Sequence, residues 1–196
     1  MLRNLKLLLA AVGALLVLAP AAAHAEILLV GELGEEIHPG DEITGTSITF
    51  YVSPSGTTSC AKIILHLEVR TNGPDHVELK PLGEATSEAC TLAIPPISLP
   101  ATMTKGIVGE LTLDTWGQGS TSVTYVFDVP AAGITCHFSG TVAFAAIGGG
   151  SDKLNVGPSS LAVTGPGCPQ SATTSGTLTL ETATGKPVLV GFVETS

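Results

Sequence analysis

The sequence predicts an all-β protein: an antiparallel β-sandwich of about ten short strands held by two disulfides, with a closed β-barrel as the alternative. Three observations lead there. Apolar residues alternate with polar ones at period two, which puts one side of each segment in a core and the other in water. Turn-forming clusters cut the chain at short intervals. Four cysteines follow an N-terminal leader that directs them to an oxidising compartment. Gly, Pro, Ser and Thr are abundant and aromatics make up only 4% of the chain. That composition is shared with disordered segments, but the regular alternation argues for a folded chain.

The leader comes first. Arg3 and Lys6 supply positive charge, Leu7–Leu18 is an apolar run, and small residues end in Ala23-His24-Ala25. This is the layout of a secretory signal peptide over residues 1–25, with Glu26 as the first mature residue. The rival, a retained anchor, needs roughly 20 apolar residues, and the run has 12. No later stretch is apolar enough for that, so no transmembrane anchor is expected after cleavage. Without the leader, six basic residues face 17 acidic ones, a net charge of −11. A chain so acidic, with no basic stripe, repels phosphate backbones, and nucleic-acid binding is excluded on that ground.

Residues 26–196 read as one β-sandwich domain, with two similar halves at about 26–105 and 106–196. Ile48, Phe50 and Val52 form one apolar face. Ile63, Leu65, Leu67 and Val69 form the next. Leu111 and Leu113 follow, then Val123, Tyr125, Phe127 and Val129. Val142, Phe144 and Ala146 share a face, as do Leu178 and Leu180, and Val188–Val193 is a last apolar strand. The turns between them include Ser53-Pro54-Ser55-Gly56, Asn72-Gly73-Pro74, Gly117-Gln118-Gly119 and Gly165-Pro166-Gly167. Leu99–Met103 reads as a loop. The suggestion of halves comes from Thr46-Ser47-Ile48-Thr49-Phe50-Tyr51-Val52 and Thr121-Ser122-Val123-Thr124-Tyr125-Val126-Phe127, each followed by a turn and a cysteine. Duplication and coincidence both account for so short a match.

Cys60, Cys90, Cys136 and Cys168 allow three pairings, and the sequential one closes two loops of similar size. No Cys-x-x-Cys is present, so disulfides rather than a redox or zinc site are expected. The second half, with Thr135-Cys136-His137-Phe138, Cys168-Pro169, Ser175–Leu180 and Gly185–Val190, resembles a group of exported bacterial all-β proteins without an assigned function. The resemblance spans roughly residues 120–193. It implies a secreted β protein with two disulfides and carries over no catalytic residue.

Three features are candidate sites. Glu35, Glu36, Asp41 and Glu42 stand in a Gly-containing acidic stretch, and clustered carboxylates suit calcium, a hard cation. The spacing matches no EF-hand, and a solvated loop is the other reading. His66 and Glu68 share the outer face of one strand, without a third ligand. Trp116 stands at a strand end beside Gly117. Packing is the job expected of it, and stacking on a sugar, with Tyr51 or Tyr125 beside it, is the alternative. No Gly-x-Ser-x-Gly elbow occurs and nothing selects a catalytic pair of carboxylates. The expectation is an exported, non-enzymatic structural or interaction module, secreted or on the exterior of the cell envelope. Its partner would be a cell-surface protein or glycan. A carbohydrate- or ligand-binding module is the first alternative, and a secreted hydrolase the second.

Overall fold

Alternating apolar residues can bury one face only by closing a sheet on itself or stacking it on another. A computed structural model, which describes residues 25–194, takes the first route. The strands are β1 (Ala25–Gly31), β2 (Glu42–Ser53), β3 (Gly56–Asn72), β4 (His76–Pro81), β5 (Thr86–Ile94), β6 (Ile97–Val108), β7 (Leu111–Asp114), β8 (Gln118–Val129), β9 (Ile134–Ala146), β10 (Lys153–Thr164), β11 (Ser171–Thr182) and β12 (Val188–Glu194). Apart from Ala25, the leader lies outside the described residues.

Eight strands close a ring in the order β2-β11-β10-β9-β8-β6-β5-β3, with β3 pairing back to β2. The all-β class and both disulfides hold, and of the two architectures the barrel is the one that forms. Strands from 26–105 and from 106–196 contribute to the same ring. The two ends of the barrel are built differently. β3 pairs with β5 through Thr57–Ile64 and with β4 through Leu67–Asn72. β8 pairs with β6 through Val123–Asp128 and with β7 through Gly119 and Ser120. At one end, therefore, the β4–β7 pair takes the place of β5–β6. Leu99–Met103, expected as a loop, lies within β6, where alternation with exposed Ser98, Pro100 and Thr102 keeps Ala101 inside.

The β1–β12 ribbon packs on the β4–β7 end. Ile27, Leu29, Val188 and Val190 are fully buried there. Asn72, the last residue of β3, holds β1 in place: its Oδ1 accepts from Leu29 N (2.7 Å), and its Nδ2 donates to Leu29 O (2.9 Å) and Ile37 O (2.6 Å). At the other end the chain reverses from β8 to β9 through Pro130-Ala131-Ala132-Gly133. Gly133 adopts φ +63°, a left-handed conformation that glycine reaches without a Cβ clash.

The interior is filled around four aromatic rings. Tyr51 stands 5.4–5.8 Å, centroid to centroid, from Tyr125, Phe127 and Phe138 in edge-on and tilted contacts. Such pairs are worth about 0.5–1.5 kcal/mol each beyond the area they bury. Cys60 and Cys90 face each other across β3 and β5 and are bonded. Cys136 on β9 is bonded to Cys168, which ties the loop after β10 to the barrel rim.

Candidate functional site

Strand β2 pairs with β11 without a register shift from Ile43 to Val52, so its two faces are set once for its whole length. Ile43, Gly45, Ser47, Thr49 and Tyr51 point inward. Ile48, Phe50 and Val52 point outward and are 54%, 45% and 49% exposed. This overturns the expectation that the Ile48-Phe50-Val52 face would be core. The physical reason is Tyr51, 2% exposed, which supplies the ring around which Tyr125, Phe127 and Phe138 pack. Once Tyr51 is inside, period two sends its neighbours Phe50 and Val52 out.

The β11 partners of the exposed stripe carry no charge, and on β3 a bulge places Ala61 and Lys62 beside Ile48. Thr177, Ser175 and Thr173 of β11 stand opposite Ile48, Phe50 and Val52. Ser59 and Thr57 of β3 stand opposite Phe50 and Val52 on the other side. At the same rim, Ile94 and Ile97 flank the β5–β6 turn and are exposed, with Ile94 against Gly56. The outer face of β2 is thus an apolar strip bordered by hydroxyls, on a chain whose remaining surface is rich in carboxylates.

The inner face of β2 is polar where a core is usually apolar. Ser47 and Thr49 hydrogen-bond to each other through their side chains. With Thr121, Thr174, Tyr51 and Tyr125 they border a cavity of about 30 Å³. Burial pushes the Tyr51 phenol far up and the Tyr125 phenol to about 12. Both rings stay protonated at any physiological pH, so this layer offers hydrogen bonds rather than a base. A second cavity, of about 60 Å³, lies near the rim between Leu92, Ile94, Phe127, Val129, Ile134 and Pro169. Both are far below the roughly 300 Å³ at which ordinary small-molecule pockets begin.

Of the other expected site residues, Asp41 and Glu42 line one open surface cleft of about 300 Å³ with Thr182 and Thr184, while Trp116 lies elsewhere. Asp41 caps its own loop, accepting from His38 N through Oδ2 (2.8 Å). Glu36 lies 3.7 Å from His38 Nδ1. The Glu35 carboxylate takes amide hydrogen bonds, from its own N–H and from Leu33, which hold its pKa below the ordinary value, with Lys186 4.0 Å away adding to the effect. Glu42 starts β2 opposite Glu68. Among the described residues, no group of three or more His, Cys, Asp or Glu converges in a way that could hold a metal ion. Glu68 pairs with Arg70 at 3.3 Å, on the exposed side of β3 with His66. Trp116 is 73% exposed, which corrects the expectation that it packs. The tight turn from β7 to β8, held by Asp114 Oδ1 accepting from Trp116 N and Gln118 N (2.9 Å each), sets the indole outside. Tyr51 and Tyr125 are buried in the core and do not join it.

Sequence reasoning missed the exposed strip and the polar inner belt. The signal was there in Tyr51, a large ring one position out of phase with Phe50. Compared with known proteins, the chain matches no family model, no curated protein and no solved structure.

Proposed function

We propose that this chain is an exported interaction module that binds an uncharged surface of a cell-surface or extracellular protein through the outer face of β2. The observation that carries the proposal is the orientation of that strand. Three large apolar side chains face solvent while Ser47 and Thr49 occupy the interior. Local rules are broken in this way where function needs it, and a contiguous apolar strip on a charged chain marks a contact surface. The absence of charge on the bordering Thr and Ser residues suits a neutral partner, since no carboxylate must be desolvated there. Two disulfides fit an oxidising destination, as the leader reading requires. Among the described residues the barrel keeps most of its apolar side chains inside and its charged side chains outside, the arrangement of a barrel in water and the opposite of one in lipid.

The test is binding of the purified mature protein to envelope preparations of producing cells, before and after protease treatment. A triple variant, Ile48→Thr/Phe50→Thr/Val52→Thr, is expected to keep the wild-type unfolding midpoint and to lose at least tenfold in binding. Equal binding by a folded triple variant would remove β2 from the role.

A second reading is favoured by the exposure of Trp116: a glycan contact at the β4–β7 end, by stacking on the indole. Binding that survives protease and falls with Trp116→Ala would select it.

A further inference from the structure

The inward faces of β2 and of its neighbour β11 place hydroxyls in the middle of the barrel, and two of them, one from each strand, lack partners. The Tyr51 hydroxyl and Thr174 Oγ1 are buried and make no hydrogen bond. Both residues are at least 98% shielded from solvent and border the same cavity. Thr174 stands opposite Tyr51 in the β2–β11 register. Neighbouring hydroxyls are already committed. Ser47 and Thr49 hold each other, and Thr121 Oγ1 donates to Ser122 O (3.3 Å). Tyr125 adjoins Tyr51, and its phenol adds to burial in raising the Tyr51 pKa, but the Tyr51 oxygen is left without a hydrogen-bond partner. Buried hydroxyls left without a partner are strongly unfavourable, and native interiors resolve them with protein groups or ordered water.

We propose that this belt is an internal hydration site, in which one or two ordered water molecules hydrogen-bond to the Tyr51 hydroxyl and Thr174 Oγ1. Size and chemistry both select water. The cavity is about 30 Å³, and one water needs about 10–15 Å³ together with two to four polar partners. Any larger solute is excluded by volume. An apolar guest would leave both hydroxyls unpaired. The inference stands apart from the docking face of β2, because Thr174 and the Tyr51 ring lie on the inner side of the wall.

The experiment is water-to-protein magnetisation transfer by NMR on the mature, disulfide-bonded protein. Long-lived water contacts are expected at the Thr174 methyl group and at the Tyr51 ring, and they should disappear from that site in folded Thr174→Val and Tyr51→Phe variants. Thr174→Val is also expected to lower the urea midpoint, since it deprives the bound water of a partner. A site without water predicts the opposite sign, because the same replacement would then remove an unpaired buried hydroxyl. No long-lived contact in the wild type, or contacts unchanged in both variants, would overturn the assignment. Should one variant fail to fold, the other and the wild-type spectrum still decide it.

Discussion

Strand β2 carries Ile48, Phe50 and Val52 into solvent, whereas β8 carries the matching Val123, Tyr125 and Phe127 into the core. The two segments are close in text, Thr-Ser-Ile-Thr-Phe-Tyr-Val against Thr-Ser-Val-Thr-Tyr-Val-Phe. They differ in what stands out of phase. In β2 the residue after Phe50 is a second ring, Tyr51. In β8 the residue after Tyr125 is Val126. The ring interior has room for one aromatic from β2 at this level, beside Tyr125, Phe127 and Phe138. The far end of β2 agrees with Tyr51 rather than with Phe50. Ile43 shares its parity and is buried, and Gly45 sits where a Cβ would come within 3.0 Å of Leu178 Cδ1. Alternation announces that a strand has two faces. When both faces carry large apolar residues, the contacts across the barrel choose between them.

The opposite orientation of β2 and β8 is open to direct test at Tyr51, at alkaline pH and at Gly45. Tyr51→Ala should destabilise the protein by about 3–5 kcal/mol, the range for removing a buried ring. Phe50→Ala, one residue away, should change stability by less than about 1 kcal/mol. Urea unfolding of both variants measures the difference, and similar losses would show that β2 does not sit as described.

The next lever is alkaline pH. The chain has two tyrosines, and burial raises both in the folded state. A raised phenol pKa means that above pH 10 the unfolded chain releases protons the folded one retains. Stability is therefore fully present below the ordinary tyrosine pKa of about 10 and declines as pH rises from there towards 12 and beyond. Tyrosinate absorbance should appear together with loss of near-ultraviolet ellipticity. Titration of either phenol near pH 10 in the folded state would mean that its ring is not enclosed.

Gly45→Val tests the small end of the same face. It places branched carbon against Leu178 and Leu67 and should cost about 1–3 kcal/mol as overpacking. Thr46→Val, facing outward, should stay within about 0.5 kcal/mol. Thermal midpoints of the pair would sharpen the assignment of faces, and reversal of the order would refute it.

Much of the fold was legible residue by residue. Ile63, Leu65, Leu67 and Val69 are buried as their alternation demands, and so are Val123, Tyr125, Phe127 and Val129. No competing apolar set of comparable size stands on their other faces. Cys60–Cys90 and Cys136–Cys168 pair sequentially. The clamp of Asn72 on β1 was illegible, because its partners Leu29 and Ile37 lie 43 and 35 residues away. Trp116 misled because a large indole is usually buried, and here a tight turn held by Asp114 overrides that tendency.

The all-β character of this chain, most of its turns and its two disulfides were already written in the sequence, although several strands run to 12–17 residues and are longer than the short strands expected. Those properties are local: alternation, turn chemistry and cysteine spacing act over a few residues or through covalent bonds. Closure of the sheet into a barrel rather than stacking on another, and the exposure of the hydrophobic side of β2, are properties of the assembled fold. Both depend on pairings such as β2 with β11 and on ring contacts across the interior, between residues more than 70 positions apart. Parity is collective along an unbroken strand. One well-placed ring at Tyr51 therefore reoriented the whole of β2.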